Sequence, residues 1–525
     1  MATDRPTGSP SVSPIDLERL TLAGILAGAL RDRPVTVLGF ARSGIGLARF
    51  LVDAGASVTV YDGRPAAELA GALRSLDGRP VRLLAGPDVD PASAWAGAAL
   101  VTTSPSINPD YPTTEGRLRR ALSSLVEARR SASGPVPALV SEADLFLRLC
   151  PAPTIGVTGT KGKTTTSALL AALLRGSPSH PVVLGGNIGI PLVEQLPALT
   201  PDHRVVIELS ELQLPTLSCG TTVAVYTNVT SDHLDRHGSL AGYRAAKRRL
   251  AELVDPAGAL VLNADDPVVT AYAGLGTARS ILYRQERPMT GGVGVVDGWI
   301  VAADVERLPL AGGGPAATGP GGRILPVGEL AIPGRHNISN ALAAVSAALL
   351  MGVAPDAIRR AAAEFPGVEH RLESVGLIDD VRFVNDSQGT QPDAVIAALR
   401  AFDGPIVLIA GGRDKGVDLA GLGPVVAERA VAAVLIGESG PDLAARFRAA
   451  GLARTERAAT LEEAVHIADA IAREHLAPGR PGPATVLLSP AAASFDMFID
   501  YAARGRAFKE AVAGIVAGRR AGRTP

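Results

Sequence analysis

Cysteine is nearly absent: 525 residues hold two thiols, Cys150 and Cys219. That excludes a disulfide framework and fits a reducing compartment. Long apolar runs are missing too, and none reaches the ~18 residues of a membrane span. Neither sign of charge dominates, with 51 Lys+Arg against 52 Asp+Glu. The chain therefore has no basic footprint for nucleic acid and no acidic tail. Its opening stretch, Met1–Pro14, is polar and rich in Pro and Ser. It lacks the basic start and apolar centre of a secretory leader, so residues 1–16 are expected to form a disordered tail.

Lysine is the most telling scarcity. Only Lys161, Lys163, Lys247, Lys415 and Lys509 occur, against 46 arginines. Arginine serves almost wherever a generic surface cation is needed. A lysine kept against that bias points to chemistry a guanidinium cannot do, as a compact point charge or an amine that can lose its proton.

What is present is an alternation of β-branched apolar runs with Ala/Leu/Arg-rich helical stretches, joined by many Gly/Pro turns. It reads as α/β with parallel sheets. At ~100–200 residues per domain the length suggests roughly three domains. Composition and pattern place them at 17–150, 151–366 and 367–525. Strands are expected at Val35–Leu38, Ser57–Tyr61, Thr154–Val157, Val205–Leu209 and Val223–Thr227, and again at Arg382–Val384, Ile406–Ala410, Ala433–Ile436 and Thr485–Leu488. The Gly-rich stretch 291–322 reads as short β pieces between loops.

The strongest chemical signal is Gly159-Thr160-Lys161-Gly162-Lys163-Thr164-Thr165 between an apolar strand and a helix. Glycines let backbone N–H groups close on phosphate oxygens, and the helix N-terminus favours the anion. Lys163 suits the β/γ-phosphates and the Thr164 hydroxyl suits Mg²⁺. The loop is a shortened variant, because Val157 stands where the strict pattern begins with glycine. Glu208 ends an apolar strand, where a carboxylate can ligate Mg²⁺ across from a phosphate loop. The polar loop Thr227–Gly238 follows another strand and brings His233 towards the same region. Lys247 lies among Arg244, Arg248 and Arg249. It is either one residue of a solvated helix face or an amine that takes up CO₂ as a carbamate.

Two further regions carry ligand chemistry. Gly39–Gly46 with Asp62 has the look of a nucleotide turn, though its glycines are off the dinucleotide spacing. Asn385–Thr390, Gly411–Gly416 and Ser489–Asp496 follow three strands and would gather on one rim, where Lys415 and hydroxyls suit a carboxylate ligand.

Taken together the sequence resembles the Mur ligases of peptidoglycan synthesis. The matching stretches include TGTKGKTTT at 158–166, GGNIGIPL at 185–192, TNVTSDHLDRHGS at 227–239, GRHNISNALAA at 334–344, VNDSQGTQPDA at 384–394 and SPAAASFDMF at 489–498. The resemblance implies three domains: a Rossmann-like uridine domain, a P-loop ATPase domain with a mostly parallel sheet, and a Rossmann-like amino-acid domain. It also implies an ATP- and Mg²⁺-dependent ligase that adds D-glutamate to UDP-N-acetylmuramoyl-L-alanine through an acyl phosphate, as a cytoplasmic monomer. Alternatives that stay open are L-glutamate as the amine, and another amide ligase of the Mur or folylpolyglutamate type.

Site roles follow by the same resemblance. Thr164 and Glu208 serve one Mg²⁺; His233 and a carbamylated Lys247 serve a second. Asn187 touches the muramoyl substrate, and Asn337 and Asn340 meet the nucleotide. Arg371 and Asp386 tie ATP to the third domain. Arg42, Ser43, Asp62 and Arg64 hold uracil and diphosphate. Thr390, Lys415, Ser494 and Tyr501 hold glutamate. Gln388 stands where the family commonly has lysine, Tyr501 where phenylalanine is common, and Ser106 where a glycine turn is usual.

Overall fold

The computed structural model describes residues 12–131, 135–189, 191–230, 237–332, 334–414, 418–476 and 482–521. His233 and Lys415 lie outside the described residues, as do residues 1–11 of the expected tail. Residues 12–16 of the expected tail are described. The Ile15 N–H donates to Ala99 O at 3.0 Å, and the Ile15 side chain packs on the core.

Three sheets form. The first holds β1 (Pro34–Leu38), β2 (Ser57–Asp62), β3 (Arg82–Ala85), β4 (Leu100–Thr103) and β5 (Ala138–Ser141). All are parallel, in the order β3-β2-β1-β4-β5. The order reverses between β1 and β4, which opens a crevice at their carboxyl ends.

The second sheet starts with β6 (Thr154–Thr158), β7 (Val182–Gly186), β8 (Arg204–Glu208), β9 (Val223–Tyr226), β10 (Ala259–Asn263) and β11 (Arg279–Tyr283). It continues with β12 (Gly292–Val296), β13 (Trp299–Ala303) and β14 (Arg323–Pro326). The order is β14-β13-β12-β11-β10-β9-β6-β8-β7, and β13 runs antiparallel to both its neighbours. β6, β8 and β10 are buried along their whole length, and their unbroken apolar runs suit a sheet covered on both faces.

The Gly-rich stretch is thus a sheet extension. Its hairpin turns on Asp297-Gly298, at φ +48° and +76°, between paired Val296 and Trp299. Two positive φ values match the right-handed twist of the strands, and an Asp-Gly pair reaches them readily.

The third sheet has β15 (Glu373–Ile378), β16 (Val381–Asn385), β17 (Ile406–Gly411), β18 (Ala432–Ile436), β19 (Thr455–Arg457) and β20 (Ala484–Leu488). The order is β15-β16-β20-β17-β18-β19, with only β15 antiparallel. Each expected strand is present, with ends within about two residues.

The chain forms two compact units. One comprises the chain through Gly328 and Ser339–Ala362, and carries the first two sheets; a single apolar core joins them. The other comprises Glu329–Ile338 and Ala363–Pro525 and carries the third sheet. Among the described residues no helix is long and apolar enough to cross a membrane.

Candidate functional site

β6 ends at Thr158 and the helix Lys163–Arg175 begins five residues on. The turn between them needs glycine twice. Gly159 sits at φ +149°, and a Cβ there would overlap Thr227 Oγ1. Gly162 sits at φ +85°, and a Cβ there would overlap Asn340 Oδ1. β9 lies beside β6, so the loop after β9 runs alongside and the two are stitched together. Thr160 N donates to Asn228 O at 2.7 Å and Lys161 N to Asn228 Oδ1 at 2.9 Å. Thr227 Oγ1 and Asn228 Nδ2 donate to Lys161 O at 2.6 and 3.0 Å. Those bonds commit the first loop amides. The first-turn amides of the helix, including Lys163, Thr164 and Thr165, have no intrahelical acceptor and suit an anion. Lys163 Nζ rests on the carbonyls of Gly159 and Thr160 at 3.1 and 2.9 Å. Asn340 accepts from Thr166 Oγ1 at 3.3 Å, which fixes it against the loop. Asn337 is buried one turn earlier on the helix Arg335–Leu350.

Glu208 ends β8, beside β6, and is 1% exposed. Its Oε1 accepts from Asn187 Nδ2 at 2.8 Å. Its Oε2 is buried with no hydrogen-bond partner among the described residues. Lys247 is 0% exposed, which removes the solvated-face reading. Its Nζ donates to Thr158 Oγ1 at 3.2 Å and lies 5.6 Å from the Tyr243 ring centre. Tyr243 OH in turn meets Thr160 Oγ1 at 2.8 Å. The phosphate loop, Glu208, Asn340 and Lys247 therefore gather at adjacent strand ends.

Around the first sheet, Asp62 Oδ2 accepts from Phe40 N at 2.8 Å, and both its oxygens accept from Arg64. Burial alone would raise this carboxyl; hydrogen bonds from Arg64 and Phe40 outweigh it and hold Asp62 below its usual range. Ser43 is half-buried in the first turn of the helix Arg42–Asp53. Arg42 donates to Gly189 O and Asn187 O at 3.1 and 3.0 Å, tying that crevice to the loop after β7.

In the second unit the three polar loops meet as expected. Gly411 N donates to Pro490 O at 2.8 Å, Ala491 N to Gly389 O at 3.0 Å, and Arg413 N to Ala493 O at 2.9 Å. Asp386 accepts from Ser489 Oγ at 2.6 Å and Leu372 N at 3.2 Å. Burial pushes its carboxyl up to about 6, against the Ser489 hydrogen bond and the nearby Arg371 charge. Thr390 is half-buried and Ser494 buried. Tyr501 is 41% exposed, with its ring 6.2 Å from that of His370.

Residues 157–348 match the Mur ligase middle domain, and 370–492 match the Mur ligase glutamate ligase domain. The UDP-N-acetylmuramoylalanine–D-glutamate ligase of Symbiobacterium thermophilum is 38% identical over 488 residues, covering 93% of this chain and 99% of that protein. The chain belongs to the Mur ligase family. The Roseiflexus sp. enzyme of the same name is 39% identical, covering 90% and 97% of the two chains. Among solved structures, UDP-N-acetylmuramate-alanine ligase from Thermotoga maritima superposes with a TM-score of 0.54 at 19% identity, covering 92% of this chain and 99% of that one. A MurF structure from Acinetobacter baumannii gives 0.51 at 17%, covering 86% and 91%. These two likenesses speak for the Mur ligase fold.

The site of this Mur ligase fits a hard divalent cation. Glu208 Oε2 is a buried carboxylate oxygen without a partner among the described residues, and such a group is costly unless something binds it. Asn187 orients that carboxylate through its side chain, a role its Gly-rich context did not suggest. Two buried residues escaped the sequence reading. Glu142 follows β5 in Ser141-Glu142-Ala143-Asp144, which reads as an ordinary helix start, and Ser141 does cap Asp144 N at 3.2 Å. Yet burial pushes the Glu142 carboxyl up to about 7, opposed by the Arg42 charge. Arg504, on the helix Tyr501–Ala521, is the other. Nothing local marks it among 46 arginines.

Proposed function

We propose that this chain joins the amine of D-glutamate to the alanyl carboxylate of UDP-N-acetylmuramoyl-L-alanine, with ATP converted to ADP and phosphate. The carrying observation is near full-length similarity, at 36–39% identity, to ligases of that name. The alanyl carboxylate takes the γ-phosphoryl group of ATP and becomes an acyl phosphate. The glutamate amine then attacks the acyl carbon, loses a proton, and inorganic phosphate leaves.

The residues suit that sequence. Carboxylate and γ-phosphate are both anionic, so the first step needs positive charge and alignment. Lys163 can exchange its two carbonyl partners for phosphate oxygens, beside the first-turn amides of its helix. Glu208 and Thr164 would hold one Mg²⁺, and His233 with Lys247 a second; the metal supplies charge neutralisation on the phosphates. Lys247 would do so as a carbamate, its amine nitrogen bonding the carbon of CO₂ and releasing a proton. Asn340 and Asn337 would meet the nucleotide, with Arg371 and Asp386 completing the ATP contacts. The uridine end falls to Arg42, Ser43, Asp62 and Arg64 within 17–150, ATP to 151–366, and glutamate to Thr390, Lys415, Ser494 and Tyr501 within 367–525. A cytoplasmic monomer fits substrates of this kind.

The test supplies ATP, Mg²⁺ and UDP-N-acetylmuramoyl-L-alanine with D- or L-glutamate, and follows phosphate and product mass. Product with D-glutamate supports the reading. Product with L-glutamate alone overturns the stereochemical part, and no product with either overturns the whole.

A further inference from the structure

Arg504 is 1% exposed and heads the fully buried side chains by size. A guanidinium has five N–H donors, and here all five find acceptors. Nε donates to Ser387 Oγ at 3.0 Å. Nη2 donates to Ser387 O at 3.0 Å and Ala492 O at 3.2 Å. Nη1 donates to Ala493 O at 3.4 Å and Gly411 O at 3.5 Å. These acceptors lie at or just past the ends of β16, β20 and β17, three adjacent strands. One side chain thus cross-ties the whole rim. The packing is close, since a Cβ on Gly412 would come within 3.2 Å of Nη1.

The charge matters as much as the geometry. None of the five acceptors is a carboxylate, and among the described residues no acid lies within ion-pair distance of Arg504. Burial pulls the guanidinium down to about 10, against the pull of Asp496, so it keeps its charge at neutral pH. A buried cation without a paired anion is expensive when alone. Its field carries far in a low-dielectric interior, and an anionic ligand on the rim would offset the expense.

We propose that Arg504 sets the affinity for the incoming amino acid: it fixes the three loops in register and lends its buried positive charge to the amino acid's carboxylates. This rests on the ligase reading above, with glutamate on this rim. Arg504 is a positioning residue, since it acts through the loops and through its field.

The test measures kcat and KM for all three substrates in wild type, Arg504→Met and Arg504→Lys. Arg504→Met raises the D-glutamate KM at least tenfold, with the KM values for ATP and UDP-N-acetylmuramoyl-L-alanine within twofold. Arg504→Lys, which keeps the charge and loses part of the hydrogen-bond fork, falls between the two. An unchanged glutamate KM in the Met variant, or a Lys variant no better than Met, overturns the proposal. Asp496→Asn keeps an acceptor for Glu438 N and removes the opposing charge. It lowers the glutamate KM about two- to threefold, and a rise in KM overturns the electrostatic part even if Arg504→Met does not fold. Wild type that makes no product with glutamate instead sinks the ligase reading, which separates the two failures.

Discussion

Replacing Glu208 by Gln separates what this residue does for folding from what it does for binding. In the bare site Oε1 is satisfied by Asn187 and Oε2 by nothing among the described residues. An unsatisfied buried polar atom costs about 1–3 kcal/mol, and a charged one more. The amide leaves an unpaired group in the same place but removes its charge. Without ligands, Glu208→Gln is therefore expected to be more stable than wild type by about 1 kcal/mol. With Mg²⁺ and a non-hydrolysable ATP analogue the order reverses. Wild type gains about 2.7 kcal/mol at a hundredfold excess over Kd, and the variant loses most of that gain with its metal ligand. Urea unfolding followed by tryptophan fluorescence reads the right part of the molecule, because both tryptophans, Trp95 and Trp299, lie in the first unit. The reasoning is refuted if the unliganded variant is less stable than wild type by more than 1 kcal/mol, or if it keeps the full gain from Mg²⁺ and nucleotide.

Other perturbations test other parts of the site. Gly162→Ala forces a Cβ into a left-handed backbone and against Asn340, so it should destabilise by about 1–3 kcal/mol and raise the ATP KM. Adding Asn340→Ala should recover part of the stability, and strict additivity in the double-mutant cycle would count against the overlap. Lys247→Met should lower kcat at least a hundredfold, and CO₂-free buffer should slow the wild type until bicarbonate is restored; a rate indifferent to bicarbonate removes the carbamate. Asp386 titrates at about 6 against 3.8 unperturbed. Its contribution to stability is fully present below 3.8 and lost as pH rises through 6, a span of up to about 3 kcal/mol. Asp386→Asn, neutral throughout, should therefore gain on wild type between pH 4 and pH 7 in paired unfolding curves. A pH-independent difference contradicts the buried carboxyl.

The features legible in the sequence are those with a local cause. Apolar β-branched runs mark the strands, and polar clusters just past them mark the strand-end loops, because a parallel sheet brings all carboxyl ends to one side. The phosphate loop marked Lys163; the lysine scarcity marked Lys247 only as a candidate, with a solvated helix face left open until its burial was seen. Asp297-Gly298 was a readable hairpin signal inside a stretch whose glycine content masked it. What stayed hidden depends on distant partners. Arg504 draws on Gly411 and Ser387, 93 and 117 positions away, as well as on Ala493 and Ala492, 11 and 12 away. Asn187 meets Glu208 across the edge of the second sheet, and Glu142 looks like an ordinary acidic helix start until burial is known.

The most direct test of ligation through an acyl phosphate is to label both alanyl carboxylate oxygens of UDP-N-acetylmuramoyl-L-alanine with ¹⁸O. The labelled substrate is turned over with ATP and D-glutamate, and the inorganic phosphate is weighed. One ¹⁸O per phosphate is the expected result, with the other retained in the new amide. Unlabelled phosphate alongside product contradicts the acyl phosphate, and no product at all contradicts the ligase.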